Sequence, residues 1–295
     1  MKKVLIGGQA VLEGIMMRNG ADYAIAVRRE DGEIYLEKDE FHSVANGRWA
    51  KLPLLRGIVG FVDSMKLGFR IITRSAALLE GEEAKPTEPS GKERWLNRLM
   101  IVFSVITALG LFIALPYGLS LLLRRYIPSQ TLLTILEGVI RLMIFLLYIG
   151  LTGLLPDMRR VYMYHGAEHK CINCLEHERE LTVDHVMASS RFHKRCGTSF
   201  LVIIMVITIL VFMAIRVEAP LFRLALRIVV IPLVAGISFE FLRLAGRSDH
   251  WLIDLLSQPG LWVQRITTKE PTADMVEVAI RAVKEVWQPA SEEVS

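Results

Sequence analysis

One short run in this chain has residue types and spacing that can do chemistry. It is His165, Glu168 and His169, within Tyr164-His165-Gly166-Ala167-Glu168-His169-Lys170. On a helix, residues three and four apart share a face. The two imidazoles could then hold one metal ion between them, with the Glu168 carboxylate alongside. This is the reverse of the His-Glu-x-x-His zinc helix. The chemistry asks for two neutral nitrogen ligands a turn apart, and for a carboxylate able to take a proton from the water that the ion acidifies. The surroundings reinforce the pattern. Five of the seven histidines (His165, His169, His177, His185, His193) and all three cysteines (Cys171, Cys174, Cys196) fall between residues 165 and 196. The competing reading is a set of capping and polar-network histidines.

A catalytic zinc site takes three protein ligands and keeps one position open for water. Three residues are candidates for the third ligand. Cys196 lies where the chain enters an apolar run, and His193 is three residues before it. Glu240 stands between Phe239 and Phe241 in another apolar run. A carboxylate there is costly unless compensated; a metal would compensate it, and so would Arg243. Cys196 is favoured over Glu240, with His193 third. Cys171-Ile172-Asn173-Cys174, with His177 and Cys196, offers a closed structural zinc site instead. The second Cys-x-x-Cys of a zinc ribbon is missing, so Cys171 and Cys174 read more simply as packing residues. First-row metals overlap in their affinity for nitrogen and sulfur, so zinc is the default divalent ion.

The elements that must position these residues are those of a membrane protein. Of 295 residues, 52% are hydrophobic and mean hydropathy is +0.38, more apolar than ordinary soluble domains. Net charge is only +4, which argues no nucleic-acid partner and fits membrane-flanking basic residues. An odd number of cysteines fits a reducing compartment. Residues 1–6 open like a signal peptide, but Gly7-Gly8-Gln9 ends the apolar run early, so no cleaved signal is expected.

The N-terminal segment, 1–50, reads as strand- and turn-rich, with a hairpin around Asp31-Gly32. Glu13 is a candidate site residue, more simply a turn glutamate. Residues 51–79 form an amphipathic helix with Arg56, Asp63, Lys66, Arg70 and Arg74 as its polar stripe. That stripe faces the membrane surface, or the helix packs on the bundle. Residues 80–98 are a polar linker. The membrane domain, 99–242, contains four spans at 99–123, 131–155, 198–215 and 220–242. The first runs 25 residues without a charge, about 38 Å of helix. Glu137 and Arg141 interrupt the second at the favourable spacing of four.

The loop 156–197 carries the metal-site residues, and 243–295 is a C-terminal helical segment. Within it, a short helix at 248–256 is closed by Gln258-Pro259-Gly260, and an amphipathic helix covers 272–287. His250 reads as a structural partner. The fold class is thus an α-helical integral membrane protein with four transmembrane helices and a small cytoplasmic α+β portion. Four spans put both termini on one side. Lys92, Arg94, Arg98, Arg159, Arg160, Lys170, Arg179, Arg191, Lys194, Arg195, Arg243 and Arg247 share that side, against Arg124, Arg125, Arg216, Arg223 and Arg227 opposite. The excess assigns the termini and the histidine-rich loop to the cytoplasm.

The run Gly7-Gly8-Gln9-Ala10-Val11-Leu12-Glu13-Gly14-Ile15-Met16-Met17-Arg18 resembles the YqhQ-like family of bacterial membrane proteins, a domain-of-unknown-function family described as predicted metal-dependent enzymes. The resemblance continues through Tyr164 to Lys170, Arg195-Cys196-Gly197-Thr198-Ser199-Phe200, Pro259-Gly260-Leu261-Trp262 and residues 267–280. It implies a multi-pass protein of the bacterial inner membrane with a metal at positions matching His165, Glu168, His169, His193 and Cys196. Lys194 departs from the family pattern, which has proline there. The leading function is a membrane-embedded metal-dependent hydrolase, most simply a peptidase, with His165 and His169 as ligands and Glu168 as general base. Its partners would be membrane lipid and a membrane protein or peptide substrate. The rivals are a scaffold, assembly factor or sensor with a structural metal, and a transporter.

Overall fold

Alternating apolar residues in the first forty positions build an antiparallel meander: β1 (Ile6–Val11), β2 (Gly14–Asn19), β3 (Asp22–Arg28) and β4 (Ile34–Glu40), in spatial order β1-β2-β3-β4. The computed structural model describes residues 6–44, 52–81, 91–214, 219–246, 248 and 250–287. The expected Asp31-Gly32 turn joins β3 to β4, with Gly32 at φ 87°, a left-handed conformation open to glycine.

The sheet is covered on both faces. Ile15, Met17, Ala24 and Ala26 pack against α5 (Pro156–Glu176) and α11 (Ala273–Val286). Val11, Met16, Ile25 and Val27 face Leu67, Ile71 and Leu78 of α1 (Leu55–Leu79). Strand side chains alternate between faces. β3 therefore turns its alanines to the helix pair and its larger residues to α1.

Of the stripe on α1, Lys66 and Arg70 are exposed, while Arg56, Asp63 and Arg74 meet partners within the fold, as packing on the rest of the protein would have it. Asp63 is buried, accepting from the Ser43 hydroxyl at 2.6 Å and the Val44 amide at 2.9 Å. Arg74 is buried against Glu37 of β4 at 2.6 Å, and Arg56 pairs with Glu240. The exposed face carries Met65, Phe69 and Ile72 beside Lys66 and Arg70.

Among the described residues, three helices are long and apolar enough to cross a membrane: Trp95–Leu123, Gln130–Thr152 and Leu224–Ala245. The first comprises α2 (Gly91–Leu109), a π-helical turn (Gly110–Ala114) and α3 (Leu115–Leu123); the second is α4 (Gln130–Thr152). The third spans α8 (Pro220–Val229) and α9 (Ile231–Ala245). They join at Val230, where Pro232 lacks the amide that would continue the ladder. The expected span at 198–215 is α7 (Gly197–Ala214), whose apolar part Gly197–Met213 is shorter. Close crossings rest on glycine: a Cβ on Gly57 of α1 would lie 2.7 Å from the Gly236 carbonyl of α9.

Between α5 and α7 stands a short helix, α6 (Val183–Met187). The expected stop at Gln258-Pro259-Gly260 is overturned, because α10 (Trp251–Thr267) runs through Pro259. Gly260 lies against Ser199 of α7, so the packing of α10 on α7 overrides a local breaker. His250 caps α10, its Nδ1 accepting from the Leu252 amide. Residues 82–90 of the expected linker, Arg216 and Arg247 of the charge count, and 288–295 lie outside the described residues.

Candidate metal centre

His165, Glu168 and His169 lie on one face of α5, beside the segment that leads into α7. His165 Nε2 is 3.2 Å from Cys196 Sγ, and the two imidazoles meet edge-on with centroids 4.5 Å apart. Ligand atoms of His165, His169 and Cys196 all lie within 4.8 Å of one another.

Backbone carbonyls set both rings. His165 Nδ1 donates to the Thr267 carbonyl at 2.9 Å, and His169 Nδ1 to the Arg191 carbonyl at 2.7 Å. With Nδ1 engaged by a carbonyl, each ring turns its Nε2 toward the centre. Cys196 immediately precedes α7, and its sulfur accepts from the Thr198 amide at 3.4 Å. A helix N-terminus favours thiolate, the form that binds metal.

The electrostatics agree. Burial pushes the Cys196 thiol up, but the His165 and His169 imidazoles outweigh it and hold the group well below the ordinary thiol range. Burial pulls the His165 imidazolium down, yet the Cys196 thiolate reverses this and raises it to about 9. Burial raises the Glu168 carboxyl against the pull of the neighbouring imidazoles. Glu168 makes no hydrogen bond among the described residues, and its side chain borders a cavity of about 430 Å³ shared with the three donors. Two soft-to-borderline nitrogen donors and a thiolate suit a divalent metal of the zinc type.

The other proposed ligands stand apart from this cluster. Glu240 is held bidentately by Arg56, so that pair supplies the compensation its apolar neighbours demand. His193 lines the cavity, but its Nε2 meets Glu176 at 3.1 Å and its Nδ1 accepts from the Arg195 amide at 3.4 Å. Both nitrogens are engaged in this arrangement, while the ring centroid stands 5.9 Å from that of His169. Cys171 and Cys174 are buried and unbonded to each other, and Cys171 packs in the core under the sheet. Burial drives the Cys171 thiol up, so it stays protonated. His177 is occupied by the Asn173 carbonyl at 2.7 Å. Glu13, at φ 51° in the β1–β2 turn, pairs with Arg160.

Several positioning residues escaped the sequence reading. Lys170 donates to the Met187 and Ser189 carbonyls at 2.8 and 2.9 Å, and Asn173 to those of Ser190 and Phe192 at 2.6 and 3.1 Å. Together they fasten the 187–192 segment that offers the Arg191 carbonyl to His169. Gln264, fully buried on α10, accepts from the His193 amide at 2.9 Å and donates to its carbonyl at 2.7 Å. That clamps the approach to Cys196. Gly166 admits the Lys269 carbonyl where any Cβ would collide, which seats the α10–α11 connection and its Thr267 carbonyl on α5. The legible signal was polar Gln264 and Thr267, three apart and so on one face of a helix.

The model of a protein family of unknown function (DUF1385) matches residues 52–289. The uncharacterized protein YqhQ of Bacillus subtilis (strain 168) is 35% identical over 293 residues, covering 95% of this chain and 91% of that one. No solved structure matches. The family match spans α1 to α11, and the identity to YqhQ extends over the sheet as well: the chain belongs to the DUF1385 family.

Proposed function

We propose that this protein is a membrane-embedded metal-dependent hydrolase, most simply a peptidase, working at the cytoplasmic face of a bacterial inner membrane. The observation that carries the reading is the convergence of three donor atoms within 4.8 Å beside a buried carboxylate with no hydrogen-bond partner among the described residues. His165, His169 and Cys196 would hold a divalent metal, zinc by default. When bound, such an ion acidifies water and polarises a carbonyl. Glu168 Oε takes the proton of the attacking water and delivers it to the leaving amine. Burial supports this role, because a carboxyl raised toward neutrality is a better proton shuttle. The engagement of both His193 nitrogens favours a three-ligand, open site over the closed four-ligand site of a scaffold.

Parity supports four spans. The sheet, α5 and α11 share one core and so lie on one side of any membrane. The chain leaves that core after α1 and returns at α5, then leaves again at α7 and returns at α10. Each excursion needs an even number of crossings: the 95–123 helix with α4, and α7 with α8–α9. An α7 of 18 residues, about 27 Å, crosses where the bilayer thins slightly. The basic excess on the side of the core supports the cytoplasmic assignment.

The test is elemental analysis of detergent-purified protein beside His169→Ala and Glu168→Gln. We expect about one metal per chain in wild type, lost in His169→Ala and kept in Glu168→Gln. The absence of stoichiometric metal in freshly prepared wild type would overturn the reading.

A further inference from the structure

We infer that the cavity receives an extended polypeptide, added as a fifth strand to the free edge of β1. This rests on the hydrolase reading and names its substrate class. Among the described residues, β1 is the terminal strand and pairs only with β2. Five consecutive residues of it, Ile6 to Ala10, line the cavity that contains His165, Glu168, His169 and Cys196. Side chains of a strand alternate between its faces. Five in a row can border one space only if that space runs along the strand's edge.

The edge is chemically open. Among the described residues, no hydrogen bond reaches the backbone of Ile6 to Ala10 beyond its pairing with β2. Alternate residues therefore present amide and carbonyl groups toward the cavity. A row of such groups, repeating about every 6.8 Å, is matched by another extended backbone. A lipid offers no such array.

The opposite edge shows what protection looks like. β4 carries Glu37, Lys38, Asp39 and Glu40, the charges by which edge strands refuse partners. β1 reads Ile-Gly-Gly-Gln-Ala-Val and carries none.

The glycines fit the same purpose. A Cβ on Gly7 would meet nothing within 4 Å, so no internal packing requires glycine there. A Cβ on Gly8 would lie 2.6 Å from the Met17 sulfur, 2.8 Å from the Met16 carbonyl and 3.0 Å from the Glu168 carboxyl carbon, so β2 and Glu168 both require glycine there. Glycine at this position lets the base sit against the middle of the strand. A peptide paired with β1 would pass Glu168 and the three donors at that point. Its outward side chains would meet Phe145 and Tyr148 of α4, the cavity's apolar wall. That wall suits apolar segments drawn from the membrane.

Binding can be read without turnover. The probe is acetyl-Thr-Val-Thr-Val-Thr-Val-amide with an N-terminal fluorophore, titrated by anisotropy into detergent-purified Glu168→Gln protein, metal-loaded and metal-stripped. Two further probes are N-methylated at alternate amides, one in each register. We expect the parent to bind, methylation in one register to weaken it about tenfold and methylation in the other to leave it unchanged. Equal binding of both methylated probes, or none at millimolar concentration, would overturn the proposal. So would competition by a peptide of residues 82–90, which would make the occupant this chain itself. Register-sensitive binding to protein that holds no metal would leave this inference standing while the hydrolase reading failed. Metal and ester hydrolysis without peptide binding would do the reverse.

Discussion

Two buried polar clusters in this molecule invite comparison. In the helix bundle, Glu137 of α4 is held by Arg141 at 2.9 Å and bidentately by Arg227 of α8, whose guanidinium lies over Tyr117 and Phe212 with centroids at 4.5 and 4.9 Å. Every carboxylate oxygen there is taken. In the middle of α5, His165 and His169 turn donor atoms toward Cys196, and Glu168 has no hydrogen-bond partner among the described residues. The surrounding carbonyls and amides fix the side chains without consuming the atoms that point inward. A carboxylate held on both oxygens ties helices together; one without a partner among the described residues is arranged for something that arrives.

The comparison breaks most decisively at α5. Glu168→Gln keeps the shape and removes the base, so hydrolysis should fall by about 10²–10⁴ while metal content is unchanged. His169→Ala should lose both. If Glu168→Gln instead released the metal, the carboxylate would be a ligand, and the cluster would be closer to saturated than the distances indicate.

Glu137→Ala attacks the other cluster. It leaves Arg141 and Arg227 facing each other in a buried place, at a cost of about 3–5 kcal/mol. The expected outcome is a large drop in the thermal midpoint measured in detergent, with metal content per folded molecule unchanged. Loss of metal at full stability would show that the two clusters are coupled.

Asn173→Ala acts one step further out. It frees the Ser190 and Phe192 carbonyls, loosens the segment that holds the His169 ring, and should weaken metal affinity about 10–100-fold. Competition with a chelator reads this directly. Because Asn173 touches no donor atom, the effect would separate a ring held by its surroundings from one held by metal alone.

What the sequence made legible was local. The spacing of His165, Glu168 and His169 names a helix face, and the uncharged run at 99–123 names a long apolar helix, because both depend on neighbours within a few turns. The Asp31-Gly32 turn is equally local. The partners across the fold were not legible. Periodicity on α1 marks Arg56, Asp63 and Arg74 as one polar stripe but not what they meet, which is Glu240, the Ser43–Val44 segment and Glu37. Pro259 reads as a stop until α7 is present to hold α10 through it. The free edge of β1 is invisible until the strand order is known, since alternation describes faces and never edges.

Glu240 is the case where a local signal pointed to the wrong partner, and it predicts the smallest effect. A carboxylate between two phenylalanines demands compensation, and a metal and an arginine satisfy that demand equally well in a one-dimensional reading. Arg56 lies 184 positions away and supplies both hydrogen bonds. Glu240→Gln should therefore leave metal content at the wild-type value, with only a slight change in stability because the pair is partly exposed. Arg56→Gln should do the same. If Glu240→Gln lost metal while Arg56→Gln kept it, the carboxylate would be leaving its arginine for the ion. The contrast between carboxylates held by arginine and an open site would then fail at α9.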